Sequence, residues 1–262
     1  MTLLTFIRKL KANLLRLKFH VLFEPFVPFF LTLCYISKLS KWVKEAHLLE
    51  FNDFYSKHHD YHKRYDLYSH IIQSENLEQI FYIEFGVSEG HSFRWWIDNI
   101  KDENSRFAGF DTFTGLPENW GGFKKGEMST AGTIPHVDDN RCEFVKGLFQ
   151  ETLPSFIIRN DSALRQRKVI HLDADVYSST LFALTMIGPY LKKGDVLIFD
   201  EFNVPLHEFR AFTDFINSYY VKTSVIGAVN NYYQICFRIE ENPTCYTDAD
   251  ERGPFTSSPS RS

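Results

Sequence analysis

Five short apolar runs, separated by longer amphipathic segments, constrain the fold of this chain more than any other feature of its sequence. Runs such as VIHL and VLIF are apolar on both faces, which is typical of parallel strands covered by helices on each side. The predicted strands are Ile80–Phe85, Arg106–Asp111, Glu143–Lys146, Lys168–Asp173 and Asp195–Asp200. Helices are predicted near residues 90–100, 151–160, 177–191 and 205–220.

Two further strand-like runs follow, Thr223–Val229 and Tyr232–Ile239, and only Asn230 and Asn231 separate them. So short a link predicts a hairpin, in which the last strand is antiparallel to its neighbour. The expected fold is therefore α/β. It has a doubly wound, mostly parallel sheet of seven strands with an antiparallel last strand, and additional N-terminal helices.

Charge divides the chain into two parts. Residues 1–44 contain eight Lys and Arg residues but only one acid, Glu24, whereas the rest of the chain contains 21 basic and 32 acidic residues. An acidic main part argues against a nucleic-acid binder, whose affinity would depend on neutralising phosphates. We expect a basic and apolar segment at 1–44, a main domain at 45–240 with a helical lead-in at 45–78, and a disordered tail at 241–262.

The N-terminal segment has the composition of a membrane-surface element. Residues 1–18 alternate apolar with basic side chains, which predicts an amphipathic helix, and residues 19–36 are mostly apolar. Glu24, Pro25 and Pro28 interrupt the apolar stretch, whereas a membrane-spanning helix needs about 20 clean apolar residues. We favour a segment lying in the plane of a membrane surface or a cover packed on the main domain, and a true membrane span is the third interpretation.

The expected location is the cytoplasm, with peripheral contact to the inner face of a membrane through residues 1–44. The four cysteines have no paired spacing, which favours a reducing compartment and argues against structural zinc. A homo-oligomeric state stays open.

Candidate ligand-binding residues follow the predicted strands, because ligands of open parallel sheets bind beyond the carboxyl ends of the strands. After the first run, glycines four residues apart, Gly86 and Gly90, allow the backbone to approach a ligand closely. Their spacing differs from the G-x-G-x-x-G pattern of dinucleotide binding, which argues against NAD. Asp111 ends the second run, where a carboxylate can accept hydrogen bonds from two ribose hydroxyls; a helix cap is the alternative.

Four carboxylates follow the fourth and fifth runs. Asp173 and Asp175 end one run, and Asp200 and Glu201 end the next. If these strands are neighbours, the carboxylates converge, and their repulsion is costly unless a cation or shared protons neutralise it. Oxygen ligands favour a hard ion such as Mg²⁺ or Mn²⁺. A helix cap explains one of these acids but hardly four.

Several motifs follow one another in a distinctive order. They are Glu84-Phe85-Gly86-Val87, Gly109-Phe110-Asp111-Thr112-Phe113 with Gly115-Leu116-Pro117, Lys146-Gly147-Leu148-Phe149 with Thr152-Leu153-Pro154, and Leu172-Asp173-Ala174-Asp175-Val176-Tyr177-Ser178-Ser179-Thr180. This order and spacing resemble the macrocin-type O-methyltransferases, metal-dependent enzymes that use S-adenosylmethionine (SAM) to methylate sugar hydroxyls. The resemblance runs from about Arg64 to Phe237. It implies a Rossmann-like class I methyltransferase fold and a SAM- and divalent-metal-dependent O-methyltransferase of a small-molecule or glycan acceptor.

The resemblance also implies roles for individual residues. For SAM it implies a pocket lined by Glu84, Gly86, Ser88 and Gly90, ribose hydroxyls held by Asp111, and adenine bordered by Lys146 and Gly147. For the reacting hydroxyl it implies metal ligation by Asp173, Asp200 and Glu201 and proton removal by Asp175. The chain departs from the family at Glu201, where such proteins often have Asp, and its residues 1–44 lie outside the matched pattern.

Two other enzyme classes share parts of this pattern. A catechol- or phenol-type methyltransferase fits the carboxylate cluster equally well, since two neighbouring hydroxyls can chelate one ion in either acceptor. A glycosyltransferase with a metal-binding D-x-D motif would use Asp173 and Asp175, but it would leave the glycine turn and the acids at 200–201 without a role.

Several histidines and one arginine need separate interpretation. His91 and Arg141 lie near the strand ends and are as well explained by capping or packing as by acceptor binding. We expect His171 to be a core residue with satisfied ring nitrogens. We expect His58 and His62 to lie on a solvated helix face rather than to bind a metal.

Overall fold

The computed structural model describes residues 2–46 and 49–246, and a seven-stranded sheet forms its centre. The strands are β1 (Phe81–Phe85), β2 (Arg106–Asp111), β3 (Cys142–Lys146), β4 (Lys168–Leu172), β5 (Val196–Phe199), β6 (Lys222–Val229) and β7 (Gln234–Glu241). They are arranged in the order β3-β2-β1-β4-β5-β7-β6. Only β7 is antiparallel to its neighbours β5 and β6, which confirms the predicted sheet and its terminal hairpin.

The described residues contain the α-helices α1 (Leu3–Arg16), α2 (His20–Phe23), α3 (Val27–Ala46), α4 (Lys63–Ser74), α5 (His91–Asn99), α6 (Phe149–Arg159), α7 (Tyr177–Ile187) and α8 (Glu208–Tyr219). Those from α4 to α8 cover both faces of the sheet. One buried cluster joins α4 and α5 to one face, and a second joins α6, α7 and α8 to the other. The five buried residues of β1 supply both clusters, since successive side chains of a strand point to opposite faces.

The register of the parallel strands places the predicted site residues at one edge of the sheet. Phe85 at the end of β1 pairs with Phe110 of β2 on one side and with Leu172 of β4 on the other, and Leu172 pairs with Phe199 of β5. The next residue along each of these four strands is Gly86, Asp111, Asp173 and Asp200. The strand order also reverses between β1 and β4, which is where open α/β sheets bind ligands.

The helical lead-in predicted at 45–78 is mostly wrong. In the described part of that range, residues 45–46 end α3 and Lys63–Ser74 form α4, whereas residues 49–62 form no regular helix or strand. This segment is instead held against the β6–β7 hairpin by hydrogen bonds, in which Ser56 N–H donates to Asn231 Oδ1 and Asp60 N–H donates to Asn230 Oδ1. Long-range bonds of this kind leave no local pattern in the sequence. The predicted one-turn spacing of His58 and His62 on a helix therefore does not exist.

Of the interruptions predicted at Pro25 and Pro28, the first is present as a short 3-10 turn between α2 and α3, and the second is absent. Helical structure continues from His20 to Ala46, because Pro25 lies in a short 3-10 turn and Pro28 lies in the first turn of α3, where a missing N–H is tolerated. By length and composition alone, this 27-residue stretch near the N-terminus could cross a membrane.

The interpretation of residues 19–36 as a cover packed on the main domain does not hold. The large apolar side chains from Phe19 to Leu33 are exposed. Contact with the core begins at Tyr35, near the middle of α3, and continues at Leu39 and Trp42, which pack on the cluster that contains α8.

The tail predicted from residue 241 begins with ordered structure. Strand β7 includes Glu241, the Asn242 side chain donates to the carbonyls of Gly188 and Leu191, and Tyr246 N–H donates to Pro189 O. The rest of that prediction, residues 247–262, lies outside the described residues.

Candidate active site

The turn between β1 and α5 requires glycine at its first position. Gly86 has φ +98°, and a Cβ there would lie 1.7 Å from the carbonyl oxygen of Asp173. Gly90 caps the start of α5 with φ +75°. The turn therefore lies directly against the end of β4, so that its backbone and the carboxylates after β4 face one space.

Asp111 fixes the loops on either side of that space. Its Oδ2 accepts the Ser88 N–H and its Oδ1 accepts the Phe113 N–H, each at 2.7 Å. Its own carbonyl oxygen accepts the Gly147 N–H at 3.0 Å. The carboxylate is half-buried and held in one orientation by two loops. It does not cap a helix, because no helix begins at this position.

A cavity of about 320 Å³ opens at this edge of the sheet, within the size range of small-molecule sites. Of the residues predicted from the sequence, its wall contains Gly86, Ser88, Gly90, Asp111, Asp173, Asp175 and Glu201. His91 also lines it, with its ring 3.0 Å from the Glu89 carboxylate.

Other predicted residues lie beside or behind the cavity wall. Glu84 is buried beneath the glycine turn, where its Oε2 accepts the Tyr82 hydroxyl at 2.7 Å. Burial raises the pKa of Glu84 to about 8. Lys146 is exposed and donates to Gly132 O, and the cavity wall on that side is formed by Leu148, Phe149 and Gln150. These three residues could have been predicted from the sequence, because they directly follow the lysine and glycine at 146–147.

The four carboxylates converge as predicted, and burial raises the pKa of each. For Asp173 and Asp200 the pKa lies above its usual range, and repulsion from Asp200 adds to the effect at Asp173. For Asp175 burial raises the pKa to about 6. Burial and repulsion from Asp175 raise the pKa of Glu201 to about 9. The site thus favours a bound cation or retained protons.

Two residues that the sequence did not single out, Tyr61 and Arg64, meet this cluster. The Tyr61 hydroxyl donates to Asp200 Oδ2 at 2.8 Å, and Arg64 Nη1 lies 3.6 Å from Asp200 Oδ1. The Arg64 guanidinium also lies 3.7 Å from the centre of the Tyr61 ring. Arg64 is only 9% exposed and also donates to Ser92 Oγ. It partly neutralises the carboxylates.

His171 is a core residue with both ring nitrogens near hydroxyl groups, as predicted, and it also lies close enough to two carboxylates to be a metal ligand. Its Nδ1 lies 2.8 Å from the Tyr82 hydroxyl and its Nε2 lies 3.4 Å from the Tyr68 hydroxyl. Burial and the Arg64 charge lower its pKa to about 3, so the ring is neutral at physiological pH. Its ligand atom also lies within 4.8 Å of ligand atoms of Asp173 and Asp200. The alternation of β4, which puts residues 171 and 173 on one face, was the available signal.

A divalent cation fits these residues. Two buried carboxylate oxygens, Asp200 Oδ1 and Glu201 Oε2, have no hydrogen-bond partner among the described residues. The other oxygen of Glu201 accepts the Tyr233 hydroxyl at 2.6 Å, which orients the carboxylate. Oxygen donors of this kind suit Mg²⁺ or Mn²⁺.

Arg141, by contrast, is structural. Its guanidinium pairs with Asp139 and donates to the carbonyls of Ile97, Ile100 and Asp102 at the end of α5. The guanidinium is thus fully hydrogen-bonded to protein groups, which explains the presence of an arginine here without acceptor binding.

Comparison with known proteins agrees with this geometry. Residues 83–202 match the sequence model of a family described as "Methyltransferase domain". Among solved structures, the chain is similar to the calicheamicin methyltransferase CalS11, with a TM-score of 0.52 and 22% identity over 68% of this chain and 79% of that one. It is also similar to the O-methyltransferase NovP, with a TM-score of 0.51 and 16% identity over 69% of this chain and 79% of that one. No curated protein sequence matches the chain.

The sheet order, the glycine turn and these matches define a Rossmann-like class I methyltransferase fold, as the motifs predicted. The stretch that matches the methyltransferase model, residues 83–202, runs from β1 to just past β5 and contains most of the residues that line the cavity.

Proposed function

We propose that this protein is a SAM-dependent, divalent-metal-dependent O-methyltransferase that acts on a hydroxyl of a sugar or glycan-type acceptor. One observation carries the proposal: a single cavity is lined both by the glycine turn with Asp111 and by the carboxylates that follow β4 and β5. A methyl donor bound at the first group would face an acceptor held at the second.

The cofactor end of the cavity suits the amino-acid and ribose parts of SAM. Gly86 allows the turn to approach a ligand without a side chain in the way, and Ser88 and Gly90 continue the same wall. The Asp111 carboxylate can accept bonds from ribose hydroxyls, as acids at the end of the second strand do in related sheets. Leu148 and Phe149 give an apolar surface for the adenine ring beside the lysine and glycine at 146–147.

The acceptor end of the cavity has residues for ion binding and for proton removal. Asp173, Asp200 and Glu201 would hold the ion, and a ring nitrogen of His171 lies within 4.8 Å of ligand oxygens of Asp173 and Asp200. A bound divalent cation supplies positive charge that favours the deprotonated form of a coordinated hydroxyl. We assign proton removal to Asp175, which lines the cavity, and its pKa of about 6 leaves it mostly ionised at neutral pH yet able to accept a proton.

The residues that hold the two substrates supply much of the rate enhancement. Bound SAM supplies an electrophilic methyl group, so the protein has to align the acceptor oxygen with it. Fixing the reactants in this way can contribute roughly 7–11 kcal/mol of barrier reduction. The Tyr61 ring and the Arg64 guanidinium border the same cavity, and we assign them to the wall that excludes water from it.

A sugar-type acceptor is favoured by the motif resemblance, most of all by the stretch from Leu172 to Thr180. The names of CalS11 and NovP, a calicheamicin methyltransferase and an O-methyltransferase, are compatible with it. The catechol or phenol acceptor remains an outcome for experiment, since the carboxylate cluster fits both.

Isothermal titration with SAM, with a UDP-sugar and with Mg²⁺ tests the proposal. We expect one SAM site per chain, a separate Mg²⁺ site and no binding of the UDP-sugar. Binding of the UDP-sugar in the presence of Mg²⁺ without any binding of SAM would overturn the proposal in favour of the D-x-D glycosyltransferase.

A further inference from the structure

The first 33 described residues, 2–34, project an unusual amount of apolar surface, and we name them the N-terminal arm. No residue of the arm is buried, and more than half of the large exposed apolar side chains among the described residues belong to it. Leu3 is 75% exposed and Phe29 is 60% exposed. Contiguous exposed apolar surface of this extent marks an interaction site in a stable protein.

The charges of the arm identify the kind of partner. Its basic residues are exposed and its one acid is Glu24; the basic residues are Arg8, Lys9, Lys11, Arg16 and Lys18. In α1, apolar residues recur at three- and four-residue spacing, at Leu3, Ile7, Leu10 and Leu14, and none of the four basic residues of the helix lies in this stripe. A helix that is apolar on one side and basic on the other suits an anionic bilayer surface.

The arm is attached firmly to the enzyme domain. The Trp42 ring in the second half of α3 contacts the rings of Phe202, Phe209, Tyr232 and Phe237 at centroid distances of 5.1–6.5 Å. Phe202 directly follows Glu201 of the carboxylate cluster. A surface bound by the arm would therefore be held in a defined orientation to the active-site edge of the sheet.

We propose that the arm binds the surface of an anionic lipid bilayer, with its helices in the plane of the interface and its apolar side chains in the boundary between head groups and acyl chains. A second copy of the chain would bring the same five cations of each arm together, and like charges repel. A spanning arrangement would bury Glu24 and His20 in the apolar interior, which is costly for a charged group. The proposal concerns binding alone and does not depend on the chemistry of the active site.

Flotation of the full chain with lipid vesicles tests this proposal. We expect the protein to float with vesicles of phosphatidylserine and phosphatidylcholine, to bind phosphatidylcholine vesicles much less, and to lose binding at high salt. Each basic residue near an anionic surface strengthens binding about fivefold, so Arg8→Gln with Lys11→Gln should weaken it about 25-fold.

Two double variants outside the arm act as controls, one for its charges and one for its apolar side chains. Lys101→Gln with Arg159→Gln removes two exposed charges from the enzyme domain and should leave vesicle binding unchanged. Phe29→Ser with Phe30→Ser should abolish binding, whereas Ile158→Ser with Tyr220→Ser, which alters exposed apolar residues outside the arm, should not. SAM affinity, measured in parallel, should be the same in all four variants, which separates a failure of this proposal from a failure of the proposed function.

Three results would overturn the proposal. The first is wild-type protein that fails to float with anionic vesicles. The second is equal, salt-resistant binding to both vesicle types, which would indicate a spanning helix. The third is a dimer in solution that Phe29→Ser with Phe30→Ser dissociates, which would make the arm an interface between copies.

Discussion

Replacing Asp111 by alanine tests how the proposed cofactor pocket is built. In the proposed complex the carboxylate accepts hydrogen bonds from two ribose hydroxyls, in addition to the two backbone N–H groups that it accepts in the structure. A bond to a charged acceptor contributes about 1.5–3 kcal/mol. At the lower value, losing both ribose bonds weakens SAM binding by about 3 kcal/mol, which is about 100-fold.

The substitution also affects the free protein, and a matched control separates the two effects. The Ser88 N–H can turn to water because Ser88 is exposed, whereas the Phe113 N–H is part-buried, and its lost bond lowers the free energy of unfolding by about 1 kcal/mol. Asp161→Ala is the control, because its carboxylate also accepts two bonds, from the Tyr190 hydroxyl and from Arg165 Nε, but lies outside the cavity.

The assay combines calorimetric titration of SAM with thermal unfolding of the ligand-free proteins. We expect Asp111→Ala to bind SAM about 100-fold more weakly and Asp161→Ala to keep wild-type affinity. The reasoning is refuted if Asp111→Ala binds SAM as tightly as the wild type, or if both variants lose the same affinity.

Further predictions concern other parts of the structure. Gly86→Ala should abolish SAM binding and lower the melting temperature, because its Cβ would lie 1.7 Å from the Asp173 carbonyl oxygen; retention of both properties would contradict the turn geometry. Asp175→Asn should keep SAM affinity while turnover falls roughly 10²–10⁴-fold, and an unchanged rate in single-turnover kinetics would exclude Asp175 as the base. EDTA should abolish methyl transfer and Mg²⁺ should restore it, and Mg²⁺ should raise the melting temperature of the wild type more than that of Asp200→Asn; full activity in metal-free protein would exclude the ion. Trp42→Ala should lower the free energy of unfolding by about 2–3 kcal/mol, since its ring is only partly buried, and urea unfolding that matches the wild type would show that α3 is not fixed to the domain.

The parts of the fold that the sequence predicts are those set by local patterns. Runs such as Val196–Phe199 are buried throughout, and the two asparagines at 230–231 both have the left-handed backbone of a tight hairpin turn. The residues after each strand could be placed at one edge because parallel strands share a direction. That argument needs no knowledge of side-chain contacts.

The parts that the sequence did not predict depend on distant contacts. Nothing in the residues around Arg64 indicates a site, and only the folded chain brings it to Asp200, 136 positions later. The prolines at 25 and 28 were expected to interrupt the apolar stretch; a 3-10 turn does lie at Pro25, but Pro28 occupies the first turn of α3, where it is tolerated. Single-residue rules fail here because position within the helix decides the outcome.

The most direct test of the central claim is to follow a labelled methyl group from SAM to its acceptor. The purified protein, with Mg²⁺ and SAM carrying a ¹³C-methyl group, is incubated with a pool of glycan, lipid-linked sugar and catechol acceptors, and the products are identified by mass spectrometry and NMR. We predict that the label appears as an O-methyl group on a sugar hydroxyl, in amounts equal to the S-adenosylhomocysteine formed, and that Asp175→Asn forms little of it. Label on nitrogen or carbon would contradict the account, and label on a catechol oxygen would contradict its assignment of the acceptor.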